Sequence, residues 1–209
     1  MDILFVVKQN KSFQTRTGCK KSSGLTNSVN LTSIALEKMG IKSKVIEVPT
    51  EGDIANELVR YNPKAVIIEA LWVRPPMMTR FVNKFPKIKF FVHLHSQMPF
   101  LATESIAMNS LGCHVNDGVG IIANSEESYD SYCCVFPKHL VFNLENFYSR
   151  PFLEYKPINK ESKEVNIACF GAIRPMKNHL IQAMSAYKFV NKILGKKLKF
   201  HINSSRVES

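Results

Sequence analysis

Short apolar runs of strand length recur along the first 145 residues, and this alternation constrains the fold more than any other feature. The segments between them carry apolar residues at spacings of three and four, as on one face of a helix. The six predicted strands are Ile3–Val7, Lys44–Val48, Ala65–Glu69, Lys89–Leu94, Gly118–Ala123 and Leu140–Leu144. Strands that alternate with helices in this way indicate an α/β fold with a doubly wound parallel sheet, Rossmann-like in architecture.

The intervening helices have recognisable boundary signals. We expect the first to be capped by Thr26 and stopped by Gly40, and a later one to be capped by Ser125. The other predicted helices run over residues 52–61, 77–85 and 101–111.

The composition of the sequence and the spacing of its apolar residues change near residue 148. Residues 148–163 contain two prolines, mixed charge and little periodicity, as in a linker between domains. We therefore predict a first domain over 1–147 and a second over 164–209, of which only a strand, a helix and a strand are present.

Composition and charge narrow the class of protein. No apolar run approaches the roughly 20 residues that cross a bilayer, and the first ten residues do not resemble a signal peptide. The five cysteines are odd in number and form no CxxC pair, which favours free thiols in the cytoplasm. The formal net charge of +11 indicates an anionic partner: a nucleotide, a nucleic acid or an acidic membrane surface.

A candidate phosphate site lies in the stretch from Val165 to His179. An apolar strand leads to Gly171, then to a loop with Arg174 and Lys177, and then to a helix. The apolar stripe of this helix has spacings of three and four residues and consists of Leu180, Ala183, Met184, Tyr187, Val190 and Leu194. Glycine allows close approach of the backbone, and the free amides and dipole of a helix N-terminus favour an anion. A tight turn with two solvated cations is the alternative interpretation.

Two histidines lie where the fourth predicted strand ends. His93 and His95 are two residues apart and therefore share a face. Ligands of open α/β sheets gather at the carboxyl ends of strands, so His95 is a candidate binding or catalytic residue. A hydrogen-bonded structural histidine is the alternative. A zinc site has weaker support, because its further ligands would be Cys113 and His114 in a predicted loop.

The run Phe170-Gly171, Arg174-Pro175, Lys177-Asn178 resembles the loop that opens the second domain of family 4-like glycosyltransferases of the GT-B fold. In that family an Arg and a Lys hold the diphosphate of a nucleotide-sugar donor. The family's arginine usually follows the glycine directly, where this chain has Ala172. The resemblance therefore carries over to Lys177 more closely than to Arg174.

The resemblance also covers positions in the first domain. It implies a cleft-facing histidine at His95, a glycine of the loop after the first strand at Gly24, and a cleft-lining asparagine at Asn146. The family's later motif of two glutamates separated by seven residues would lie beyond Ser209, so the resemblance covers about half of a complete enzyme. The chain is thus expected to be a fragment or a natural short form.

The activity that the resemblance implies is hexosyl transfer from a nucleotide-sugar to an acceptor hydroxyl, without a metal or another cofactor. The acceptor, whether glycan, lipid or DNA, stays open. Lys188, Lys192 and Lys196 recur every four residues, which is typical of a solvated helix face or of peripheral contact with an anionic surface. A non-catalytic module that binds nucleotides or nucleic acid is the alternative function.

Overall fold

A computed structural model describes residues 1–9, 24–147, 163–169 and 178–202. The chain divides into two compact units, Met1–Pro151 and Phe152–Ser209. No helix among the described residues is long and apolar enough to cross a membrane.

The first unit is built on a six-stranded parallel sheet, as far as the described residues show. Its strands are β1 (Ile3–Lys8), β2 (Ser43–Val48), β3 (Ala65–Glu69), β4 (Lys89–Leu94), β5 (Gly120–Ala123) and β6 (Val141–Asn143). Their order across the sheet is β2-β1-β3-β4-β5-β6, and every pairing is parallel. This is the doubly wound α/β architecture that the alternation of strands and helices predicts.

The helices of the first unit connect these parallel strands. They are α1 (Gly24–Lys38), α2 (Ile54–Tyr61), α3 (Pro75–Lys84), α4 (Met98–Thr103), α5 (Ser105–Asn116) and α6 (Glu126–Cys133). The predicted boundary signals at two helices are confirmed. Gly40, just after α1, has φ of +80°, and the Ser125 hydroxyl accepts a hydrogen bond from the Ser128 amide at 3.2 Å.

The alternation of side chains along the strands gives the sheet two apolar faces. Leu4 and Val6 of β1 belong to one hydrophobic cluster, which includes Ile54 of α2 and Phe81 of α3. Phe5 and Val7, which point the other way, belong to a second cluster with Val29 of α1. Helices thus cover both faces of the sheet.

Three helix predictions were wrong in detail. The first helix begins at Gly24 rather than at Thr26, so Gly24 is helical and not a loop residue. The helix predicted over 101–111 is two helices, which meet at Glu104. Cys113 and His114 lie on α5, not in a loop.

The second unit contains β7 (Glu164–Cys169), α7 (His179–Tyr187) and β8 (Lys197–Ile202). The two strands pair in parallel, and a π-helical turn over Lys188–Ile193 continues α7. Ala186 and Val190 are its buried residues, whereas Leu180, Met184 and Tyr187 of the predicted apolar stripe are exposed. The described part of this unit therefore leaves most of that stripe in solvent.

Candidate functional site

The strand order of the first unit singles out one place on the sheet. The chain leaves β1 for β2 on one side and later returns to β3 on the other side, so the direction of winding reverses between β1 and β3. Ligands of doubly wound sheets bind at the carboxyl ends of the strands beside such a reversal. Lys8 ends β1 and Glu69 ends β3 at this edge.

Glu69, His93 and His95 form a contiguous cluster at this edge, which we call the Glu–His cluster. The parallel register of β3 and β4 places Glu69 opposite His93, and His95 follows just after β4. His95 Nε2 lies 2.7 Å from Glu69 Oε2, and His93 Nδ1 lies 3.1 Å from the same oxygen. The two imidazole rings are 4.3 Å apart at their centroids, which confirms that His93 and His95 share a face.

The three side chains of the Glu–His cluster differ in their exposure to solvent. The side chains of Glu69 and His93 are 1% and 6% exposed, whereas that of His95 is 20% exposed. Burial by itself raises the pKa of Glu69, but hydrogen bonds from His93 and His95 outweigh it and hold that pKa below its ordinary value of 4.5. An ionised carboxylate only accepts hydrogen bonds, so both histidine nitrogens that face it carry protons.

This protonation pattern defines what His95 offers to a ligand. Its Nε2–H donates to Glu69, and its ring packs against that of His93. Nδ1 of a neutral His95 is therefore a hydrogen-bond acceptor, oriented by a buried carboxylate. Such a pair can accept a proton from a hydroxyl or position that hydroxyl.

The backbone around the cluster is fixed by two further hydrogen bonds. Ala70, the residue after Glu69, has φ of +67°, and its amide donates to the His93 carbonyl at 2.9 Å. A left-handed conformation costs a non-glycine residue about 1–3 kcal/mol and is found mostly where surrounding structure enforces it. Tyr132 is fully buried, and its hydroxyl donates to the carbonyl of Ser96, next to His95, at 2.8 Å.

A cleft opens beside the Glu–His cluster. It has a volume of about 630 Å³, and its lining includes Ala70, Trp72, Ser96 and Phe100. Ala70 and Ser96 directly follow Glu69 and His95, so the cleft lies at the same edge of the sheet. Its lining is mostly apolar, as in many sites for organic ligands.

Asn146 is hydrogen-bonded to a residue of α1. Ser28 of that helix is buried and its hydroxyl donates to Asn146 Oδ1 at 3.1 Å. Gly24 begins the same helix, four residues before Ser28. A hydrogen bond thus connects the segment after β6 to α1, the helix that begins at Gly24. That Gly24 and Asn146 line a cleft stays a prediction.

The other predicted site residues are those of the phosphate site and the further zinc ligands. Gly171, Arg174 and Lys177 lie outside the described residues. His114 is buried in α5 and its Nε2–H donates to the Val73 carbonyl at 3.2 Å, which is a structural role.

Sequence reasoning missed Glu69. Its only signal was a carboxylate at the end of an otherwise apolar strand, which reads as a strand boundary. The third potential metal ligand beside His93 and His95 is therefore Glu69 of the neighbouring strand, rather than Cys113 or His114.

Comparisons with known proteins leave the function open. No protein-family model and no curated protein matches the chain. A solved structure described as an ABC transporter, LacI family transcriptional regulator from Brachyspira murdochii aligns with 11% identity and a TM-score of 0.33. The alignment covers 100% of this chain and 57% of that chain, and at that TM-score it carries no argument about function.

Proposed function

We propose that this chain takes part in the transfer of a hexosyl group from a nucleotide-sugar to an acceptor hydroxyl, with His95 contacting the sugar or the acceptor. The observation that carries the proposal is the 2.7 Å hydrogen bond between His95 and the buried Glu69, at the carboxyl edge of a doubly wound sheet. A histidine held in one tautomer by a carboxylate is suited to hydroxyl chemistry.

The proposal gives a role to each half of the chain. Nδ1 of His95 would accept a hydrogen bond from a substrate hydroxyl, and the cleft beside it would hold the body of the acceptor. The departing diphosphate would be neutralised by Lys177 and Arg174, as the resemblance to GT-B enzymes implies. That is stabilisation of charge that develops in the transition state, and it requires no metal.

The Rossmann-like sheet is compatible with this function but does not select it. Sheets of this kind host many activities, so the function must be argued from the site. The Glu–His cluster and the adjacent cleft support two parts of this proposal, a hydroxyl-binding group and a space for an acceptor. The third part, a counter-charge for the diphosphate, rests on the resemblance at Arg174 and Lys177.

The alternative function is a non-catalytic module that binds nucleotides or nucleic acid. The formal charge of +11 favours it, because cationic side chains bind phosphates without further chemistry. A nucleic-acid module would lose affinity steeply as salt is raised, whereas binding of a single nucleotide-sugar would change much less.

A turnover assay separates the two functions. The 209-residue chain is incubated with UDP-, GDP- and ADP-sugars and candidate acceptors, and release of nucleoside diphosphate is followed. We expect His95→Gln to reduce turnover by about 100-fold or more, the range for loss of a general acid or base. The matched control His139→Gln changes an exposed histidine and should leave turnover unaltered. Turnover that His95→Gln leaves intact would contradict the role given to His95.

A further inference from the structure

The Glu–His cluster has the donor set of a transition-metal site. Two imidazole nitrogens and one carboxylate oxygen, from Glu69, His93 and His95, lie within 4.8 Å of one another. We propose that this cluster binds Zn²⁺ reversibly and that the bound ion competes with substrate for His95. The competition rests on the proposed function, but the binding of Zn²⁺ does not.

The distances are close to those that zinc requires. Zn²⁺ binds histidine nitrogen and carboxylate oxygen at about 2.0–2.2 Å, which places two tetrahedral ligands about 3.4 Å apart. Glu69 Oε2 is 2.7 Å from His95 Nε2 and 3.1 Å from His93 Nδ1. A metal would therefore require the His95–Glu69 separation to grow by about 0.7 Å and the His93–Glu69 separation by about 0.3 Å, through movement of the side-chain ends.

The rigid framework keeps these donors together. Glu69 and His93 are opposite one another in paired strands, so their separation is set by the β3–β4 register. His95 is the accessible member, which gives the ion an entry path and leaves a coordination position for water or another ligand.

The donor chemistry selects among cations. Imidazole ligands suit zinc, copper, iron and nickel, whereas magnesium and calcium prefer a shell of oxygens. The single carboxylate in the cluster offers too few oxygens for those two ions. We therefore expect Zn²⁺ to bind and Mg²⁺ not to bind at this cluster.

The site is expected to release its metal readily. Zinc on His93 Nδ1 moves the proton of that neutral ring to Nε2, a buried atom without a hydrogen-bond partner among the described residues. A buried N–H without a partner is unfavourable, because it has lost its hydrogen bond to water and gained none in the protein. That cost weakens binding and distinguishes the cluster from a permanent structural zinc site.

Bound zinc would also change what His95 presents to a substrate. With Zn²⁺ on Nε2, the proton of the neutral ring lies on Nδ1. Nδ1 then donates a hydrogen bond instead of accepting one, so it no longer accepts from a hydroxyl. Zinc would thus inhibit the proposed transfer, and a chelator would reverse the inhibition.

Calorimetric titration of the full chain with ZnCl₂ tests the binding directly. We expect one ion per chain, and affinity reduced by at least about tenfold in both Glu69→Gln and His95→Gln, since even second-shell changes cost 10–100-fold. His95 lies at the accessible end of the cluster, so His95→Gln remains a valid test if Glu69→Gln fails to fold.

Free thiols also bind zinc, and their contribution must be separated. The free cysteines among the described residues include the adjacent Cys133 and Cys134. The control variant Cys133→Ser/Cys134→Ser and the control His139→Gln should both retain the binding that His95→Gln loses. Absence of zinc binding, or binding that His95→Gln leaves unchanged, would overturn the proposal.

The failure of this proposal is distinguishable from failure of the proposed function. Calorimetry with ZnCl₂ does not require a nucleotide-sugar or any turnover. Zinc binding without nucleotide-sugar binding would support the metal site and contradict the transferase, and the opposite pattern would contradict only the metal site.

Discussion

The coupling between Glu69 and His95 is the prediction that the structure defines best. Their hydrogen bond is 2.7 Å long and joins a 1% exposed carboxylate to a 20% exposed imidazole. The perturbation is a double-mutant cycle of Glu69→Gln, His95→Gln and the double variant, which isolates the pairwise free energy.

The magnitudes follow from the contacts that each variant loses. A hydrogen bond to a charged group contributes about 1.5–3 kcal/mol. His95→Gln removes one such bond at a partly exposed side chain, so we expect the free energy of unfolding to fall by about 1.5 kcal/mol. Glu69→Gln removes the charge that both histidines share and turns an amide N–H toward one of them, so we expect a loss of about 3 kcal/mol.

Urea unfolding followed by tryptophan fluorescence is the assay. Trp72 is the only tryptophan of the sequence and lies in the first unit, so its emission reports on the unit that carries the cluster. We expect a coupling free energy of about 1.5 kcal/mol between Glu69 and His95, and none between Glu69 and the exposed His139. A Glu69–His95 coupling below about 0.5 kcal/mol would refute the claim that the carboxylate holds this histidine.

Three further predictions concern Tyr132 and His114 of the first unit. Tyr132→Phe should lower the free energy of unfolding by about 1–3 kcal/mol, because the Ser96 carbonyl loses its donor. Burial raises the pKa of Tyr132 to about 12, so the unfolded chain loses this proton first and wild-type stability should fall more steeply than that of Tyr132→Phe between pH 10 and 12. Burial lowers the pKa of His114 below 6.5, so the unfolded chain gains this proton first and stability should fall below pH 6.5, by up to about 1.4 kcal/mol per pH unit more than in His114→Gln. Urea unfolding across pH checks both signs, and variants with the same pH slopes as the wild type would contradict them.

The sheet could be predicted from the sequence because its signals are local. The predicted bounds Ala65–Glu69 and Lys89–Leu94 are those of β3 and β4. Each apolar run has a polar residue at its carboxyl end, because the first ends in Glu69 and His95 follows the second. The break at Glu104 between α4 and α5 was missed, because the sequence around it carries no glycine or proline.

The sequence predicted the two histidines of the Glu–His cluster but not its carboxylate. His93 and His95 are two residues apart in the chain, so their shared face follows from strand periodicity. Glu69 reaches them through the register of two strands, and such a register depends on tertiary packing that a single sequence does not encode locally.

The apolar stripe of α7 is a second case in which the sequence predicts the element but not its tertiary packing. Its apolar spacing indicates a helix, and a helix is present. Which residues it buries depends on what packs against it, and in the described unit those are Ala186 and Val190.

Calorimetric titration of the chain with UDP, GDP, ADP and their sugars tests the central claim most directly, beside Lys177→Ala. The account predicts that at least one nucleotide-sugar binds. It also predicts that Lys177→Ala weakens the binding by about 10- to 150-fold, which corresponds to a charged hydrogen bond of about 1.5–3 kcal/mol. Absence of binding to any of these ligands, or binding that Lys177→Ala leaves unchanged, would contradict a nucleotide-sugar site that depends on Lys177.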